Sequence, residues 1–133
     1  MGQVSNHNIV DWGESSACRA KYRRFVDRVF DAKGAWMLIG PDGPLETRVE
    51  GNQWALPLWT SREAASEFAE LKALQDYCAE FIALDELLNE ALADLEKANL
   101  QIHPNAQEPP VGLLIPPAGF KRNVQYVSTL RMG

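Results

Sequence analysis

The stretch from Trp54 to Ala69, WALPLWTSREAASEFA, constrains this chain most, because a strand, a helix start and a helix follow one another there without interruption. Trp54, Leu56 and Leu58 alternate as the inward residues of a half-buried strand do. Thr60 and Glu63 then stand at capping-box spacing, and Ala64, Ala65, Phe68 and Ala69 continue at helical spacing. The stretch speaks for architecture rather than chemistry, since no nucleophile, metal cluster or phosphate loop accompanies it.

Upstream, Leu45 to Glu50 alternates again, and Gly51-Asn52 suits a two-residue type II′ reversal. That reversal predicts Val49 opposite Trp54, Thr47 opposite Leu56 and Leu45 opposite Leu58. Pro57 then falls opposite Glu46 where a donor is needed, so the ladder is expected to break or become an edge there. Ala35 to Ile39 reads as a strand, closed by the turn Gly40-Pro41-Asp42-Gly43. Before it, Cys18, Tyr22, Phe25, Val26, Val29 and Phe30 form an apolar stripe at three- and four-residue steps. This predicts a helix from Ser15 or Ser16, ended by Gly34 in the left-handed conformation.

The region from Ser61 to Asn99 reads two ways. Phe68, Leu71, Leu74, Cys78 and Phe81 keep a loose helical rhythm, and periodicity alone allows a helical hairpin. The later stripe of Leu84, Leu87, Leu88, Ala91, Leu92 and Leu95 is a clear helix with Asp85 and Glu86 at its start and Lys97 and Asn99 at its close. Leu100 to His103 reads as a strand cut by Pro104, and Val111 to Ile115 as an apolar strand buried on both faces. Ala118 to Val127 is expected to form a short closing helix. The division that follows is an arm over 1–13, one domain over 14–127, and a fraying tail over 128–133.

A chain of 133 residues, 46% hydrophobic, can build one self-sufficient core. Its net charge of −5 repels phosphate backbones, which argues against nucleic acid as a partner. Two cysteines, Cys18 and Cys78, are too few for a disulfide scaffold or a zinc site. Both fall at apolar positions, so buried free thiols in a reducing cytoplasm are expected. No run approaches the length of a membrane span, and no membrane partner is expected.

His7 and His103 are the only histidines, and His7 falls in the arm, so His103 is the one candidate base. Paired with Cys78 across a sheet it would make a thiolate dyad. A strand-end histidine and a core thiol are the commoner meaning of such residues. The helix carboxylates Glu63, Glu67, Glu70, Asp85, Glu86, Glu90, Asp94 and Glu96 are spaced for solvated faces, with no second ligand type converging on them. The first helix is basic through Arg19, Lys21, Arg23, Arg24, Arg28 and Lys33, whereas residues 62–97 carry ten acids against three bases. Those two surfaces either pair across the fold or offer Arg23 and Arg24 to an acidic protein patch. Trp36, Trp54 and Trp59 fall in the sheet-forming third. They are core, or else Trp59 faces solvent beside Pro57 and Trp36 as an aromatic patch.

Arg24-Phe25, Ala35-Trp36-Met37-Leu38, Ala55-Leu56-Pro57-Leu58-Trp59 with Ser61 and Glu63, Ile82 to Leu88, and Val111 to Pro116 together resemble a bacterial family known as domain of unknown function 2750, over roughly Tyr22 to Val127. The ALPLW-TSREAA piece is also similar to the N-terminal domain of the secretion-associated SseB proteins. The resemblance implies that Tyr77 to Ile82 is a short strand, although residues 71–76 lack the glycine or acidic-tryptophan break that would separate it from the helix before. The expected fold is a single α+β domain with a mixed sheet of five or six short strands flanked by three main helices. The expected function is a non-enzymatic interaction module that binds a protein partner or itself and uses no cofactor or metal, of a kind that neutralises a toxin or supports secretion. The alternative is a small-molecule or enzymatic pocket near His103 and Cys78.

Overall fold

The structure, a computed structural model, describes residues 16–49, 53–106 and 114–132. The arm over 1–13, the Gly51-Asn52 reversal and most of the Val111 strand lie outside the described residues, as does the side chain of Cys18. Helix α1 (Ser16–Ala32) leads into strand β1 (Gly34–Gly40), which turns through Pro41-Asp42 into β2 (Gly43–Pro44). Strands β3 (Thr47–Val49) and β4 (Gln53–Leu58), helix α2 (Arg62–Leu71) and strand β5 (Cys78–Ala83) follow. Helix α3 is continuous through Leu84–Glu86, a π-helical turn at Leu87–Ala91, and Leu92–Lys97. Strand β6 (Gln101–Pro104) and helix α4 (Pro117–Met132) complete the chain, an α+β domain as expected.

Two three-stranded sheets, β2-β1-β5 and β3-β4-β6, are joined where Trp36 and Trp59 exchange backbone hydrogen bonds of 2.8 Å. All pairings are antiparallel except β4 with β6. Tyr22, Phe25, Val29, Leu56, Leu58, Leu87, Leu95, Ile102 and Phe120 belong to one core cluster, which places α1, α3 and α4 on one face of the joined sheet. A smaller cluster of Leu38, Trp59, Ala65, Phe68 and Ala106 places α2 on the other.

Several sequence expectations are corrected in detail. The β3–β4 register runs one residue differently, with Val49 opposite Gln53, Arg48 opposite Trp54 and Thr47 opposite Ala55. Leu45 does not pair with Leu58; its N–H donates to the Leu38 carbonyl at 2.8 Å instead. A one-residue slip of this kind changes which side chains share a face. The expected break at Pro57 is present. Trp59, two residues on, turns its N–H and C=O to β1, so the donor that Pro57 lacks would point into the gap left where the pairing of β4 with β3 stops at Ala55.

Helix α1 is closed by Lys33 at φ 63°, not by Gly34. Gly34 is needed for a different reason: a Cβ there would run into the Ile82 carbonyl and the Phe81 ring. Helix α2 is capped by Ser61, whose hydroxyl accepts from Ala64 N–H at 3.1 Å, one residue after the expected Thr60. It stops at Leu71, and Ala73 takes a left-handed φ of 56°. In α3 the Leu92 N–H donates to the Leu87 carbonyl, five residues back. On a regular α-helix those two leucines point about 140° apart, whereas the wider turn brings both into the core with Leu95. Helix α4 runs to Met132, five residues beyond the expected end at Val127, so residues 128–132 of the expected fraying tail are helical.

Candidate functional site

The basic surface is made by α1 and α4 together. Phe25 and Phe120 meet at 6.0 Å between ring centroids, and the Tyr22 hydroxyl donates to Asn123 Oδ1 at 2.5 Å. Burial pushes the Tyr22 phenol well above its usual range, because the phenolate would lose its water. At the far end Arg131 reaches Asp31 at 2.5 Å and Asp27 at 3.5 Å, with its guanidinium 5.3 Å from the Phe30 ring centroid. The hydrogen bond to Asp31 and the attraction of both carboxylates raise the Arg131 pKa above its ordinary value.

The two helices carry eight basic residues against two acidic ones, and both acids are those already engaged by Arg131. Arg19, Lys21, Arg23, Arg24 and Arg28 are all exposed. The contacts at Tyr22, Asp27 and Phe30 turn that side of α1 toward α4. Arg23 lies one turn before Asp27, and Arg19 one turn before Arg23, on the same side. On α4, Tyr126 and Leu130 follow Asn123 at helical spacing and are 64% and 62% exposed. Basic and apolar side chains thus adjoin along the α1–α4 seam. The sequence reading found the α1 half only. The missed signal was Phe120, Val124 and Val127 at helical spacing, followed by Arg131 on the same face.

The other sequence candidates are dispersed. Trp36 is half-buried, edge-on to Phe81 at 5.3 Å and covered by Arg62, whose guanidinium lies 5.6 Å from its ring centroid. Trp59 is only 1% exposed, packed on Phe68 at 5.3 Å with its Nε1–H donating to the Ala106 carbonyl at 3.0 Å. Trp59 does face away from Leu56 and Leu58, but α2 covers that side and Pro57 is buried too, so the expected solvent-facing patch of Trp59, Pro57 and Trp36 does not form. His103 is 2% exposed and pairs with Pro57 on β6, whereas Cys78 pairs with Ile39 on β5. Strands β1 and β4 stand between them, about 14 Å at ~4.8 Å per strand, so the fold does not bring the two side chains together. The Cys78 thiol is exposed rather than buried, because β5 is an edge strand.

Two surface grooves flank α2. One of about 490 Å³ lies toward β4, between Arg28, Thr60, Glu67, Leu71 and Asn105. The other, of about 790 Å³, lies toward β5 and has Leu38, Leu74, Tyr77 and Ala79 on its floor. Cys78 lines the second, and His103 lines neither. Among the described residues no three His, Cys, Asp or Glu side chains converge as metal ligands. Among them, too, no helix is long and apolar enough to cross a membrane.

These features define a small α+β domain whose distinctive side chains lie on charged and aromatic surfaces. The chain belongs to the DUF2750 family, described as a protein of unknown function, whose family model matches residues 22–124. No curated protein and no solved structure matches it.

Proposed function

We propose that this protein is a non-enzymatic interaction module that binds an acidic, partly apolar surface of a partner protein through the α1–α4 seam. The supporting observation is that packing α1 against α4 collects eight bases on a chain whose net charge is −5, beside exposed Tyr126 and Leu130. Arg23 and Arg24 supply steering charge, and the two apolar side chains supply contact area. The overall negative charge and the apolar pair favour a protein over a nucleic acid. A toxin to be neutralised, or a component of a secretion pathway, is the partner class that fits the family-level resemblance. Cytoplasmic location belongs to the same reading.

The test is affinity capture from a bacterial lysate followed by reconstitution with the purified partner. An Arg23→Glu/Arg24→Glu variant and a Tyr126→Ala/Leu130→Ala variant should each weaken the reconstituted complex at least tenfold while melting within a few degrees of the parent. Salt should weaken the parent complex. Equal binding by all three forms, or tighter binding to RNA than to the protein, would reject this surface.

A further inference from the structure

The second surface lies on the opposite face of the sheet, at the edge strand β5. Trp36 gives both its N–H and its C=O to Trp59, and the Leu38 carbonyl accepts from Leu45, so neither residue bonds to its β5 partner. Their partners are Phe81 and Ala79. In an antiparallel ladder the backbone groups of those partners point away from β1, and those of Ala83 do the same. On the intervening side, Leu84 N–H donates to the Lys33 carbonyl, which confirms the alternation. Among the described residues no other strand pairs with β5, and Phe81 is 44% exposed.

The larger groove lies beside this edge, between α2 and the segment that leads into β5. Its floor is apolar, and along α2 its wall carries Glu63, Glu67 and Glu70, four and three residues apart on one face. Arg62, the base that shares the groove, is turned onto the Trp36 ring. An edge strand with three outward-facing residues, met at Cys78 and Ala79 by a groove that runs along a neighbouring helix, is an arrangement by which extended peptides are taken up as an added strand. The row of carboxylates decides what charge such a peptide carries.

We propose that β5 and α2 form a docking groove for an extended, basic peptide segment of a partner protein, bound as a strand on the Ala79–Phe81–Ala83 edge with its cationic side chains against Glu63, Glu67 and Glu70. This groove is separate from the α1–α4 seam and goes beyond the reading given for it.

The probe is a fluorescein-labelled peptide of alternating lysine and valine, Lys-Val-Lys-Val-Lys-Val-Lys, titrated with the full chain. Saturable binding is expected, with slowed amide exchange at Ala79, Phe81 and Ala83. A Glu63→Lys/Glu67→Lys/Glu70→Lys variant should bind at least tenfold more weakly. Ala79→Pro removes only an outward N–H, which an edge strand tolerates, and should also cost at least tenfold. Arg23→Glu/Arg24→Glu should leave the affinity within twofold, which keeps this groove distinguishable from the seam. No saturable binding, equal affinity for a glutamate–valine peptide, or unchanged exchange at the three β5 amides would overturn the proposal. A dimer in light scattering that Ala79→Pro dissolves would replace the peptide by a second copy of the chain, and would equally overturn it. The exchange measurement needs no variant, so it decides even if a substitution unfolds the protein.

Discussion

The two faces of the sheet are covered very unequally. Among the described residues, three helices bury a cluster of sixteen on one face, whereas α2 alone buries five on the other. A helix is about 10 Å across and strands are about 4.8 Å apart, so one helix covers roughly two strands. Helix α2 packs over β1 and β5, and a groove lies along each of its flanks. The thick side therefore holds most of the stability, and the thin side is where backbone and apolar floor stay accessible. In the proposed reading the thick side takes part in recognition through its outer side chains, the basic residues of α1 together with Tyr126 and Leu130 of α4.

The largest test of this asymmetry is Phe120→Ala. Phe120 is fully buried against Phe25, and its removal should cost about 3–5 kcal/mol in urea unfolding. A loss below about 1.5 kcal/mol would show that the thick side collapses around the cavity and does not dominate stability.

Tyr22→Phe sharpens the same point through pH. At about pH 8 the variant loses the hydrogen bond to Asn123, worth roughly 1 kcal/mol. Because the folded-state pKa of Tyr22 is raised, its contribution is fully present below the unfolded value near 10 and fades as pH rises above it. The stability gap between parent and variant should therefore narrow between about pH 8 and about pH 11. A gap that widens would mean that the phenolate is stabilised in the folded state.

The thick side was also the more legible in the sequence. The α1 stripe, the leucines of α3 and the inward residues Leu56 and Leu58 follow from helical or twofold periodicity, whereas Trp54, in the same twofold pattern, is 45% exposed. On the thin side periodicity says that Trp59 faces away from Leu56, but not that a helix covers it. The end of α2 carries no sequence punctuation, because Ala73 takes a conformation usually left to glycine or asparagine. The one-residue register shift at Thr47 to Val49 depends on the length of a reversal that Gly51-Asn52 alone does not set. Of the surfaces, the charge of α1 and of α2 could be counted residue by residue. Their juxtaposition with α4 and with the β5 edge depends on tertiary packing, which no local pattern reports.

Ser61→Ala probes the thin side. It removes the hydroxyl that accepts from Ala64 N–H and should cost about 1 kcal/mol. Because α2 is held by so few buried side chains, the loss should appear as faster local amide exchange in α2 before it appears across α1 and α4. Equal acceleration in all three helices would mean that the two faces open together, and the comparison would fail.

The smallest expected effect is a gain. Ala73 at φ 56° holds its Cβ close to the following carbonyl, a conformation that costs an L-residue about 1–2 kcal/mol and a glycine almost nothing. Glycine also makes the unfolded chain more flexible, which takes back about half of that benefit. Ala73→Gly should therefore stabilise the protein by about 0.5–1 kcal/mol, read as a higher urea midpoint at unchanged slope. Ala73 also lines the larger groove, so the same variant reports on the peptide site. If the left-handed turn only terminates α2, probe affinity stays as in the parent while stability rises. A destabilised variant would show that the alanine methyl packs against the groove wall strongly enough to outweigh its backbone strain, and the thin side would then be better sealed than its five buried residues imply.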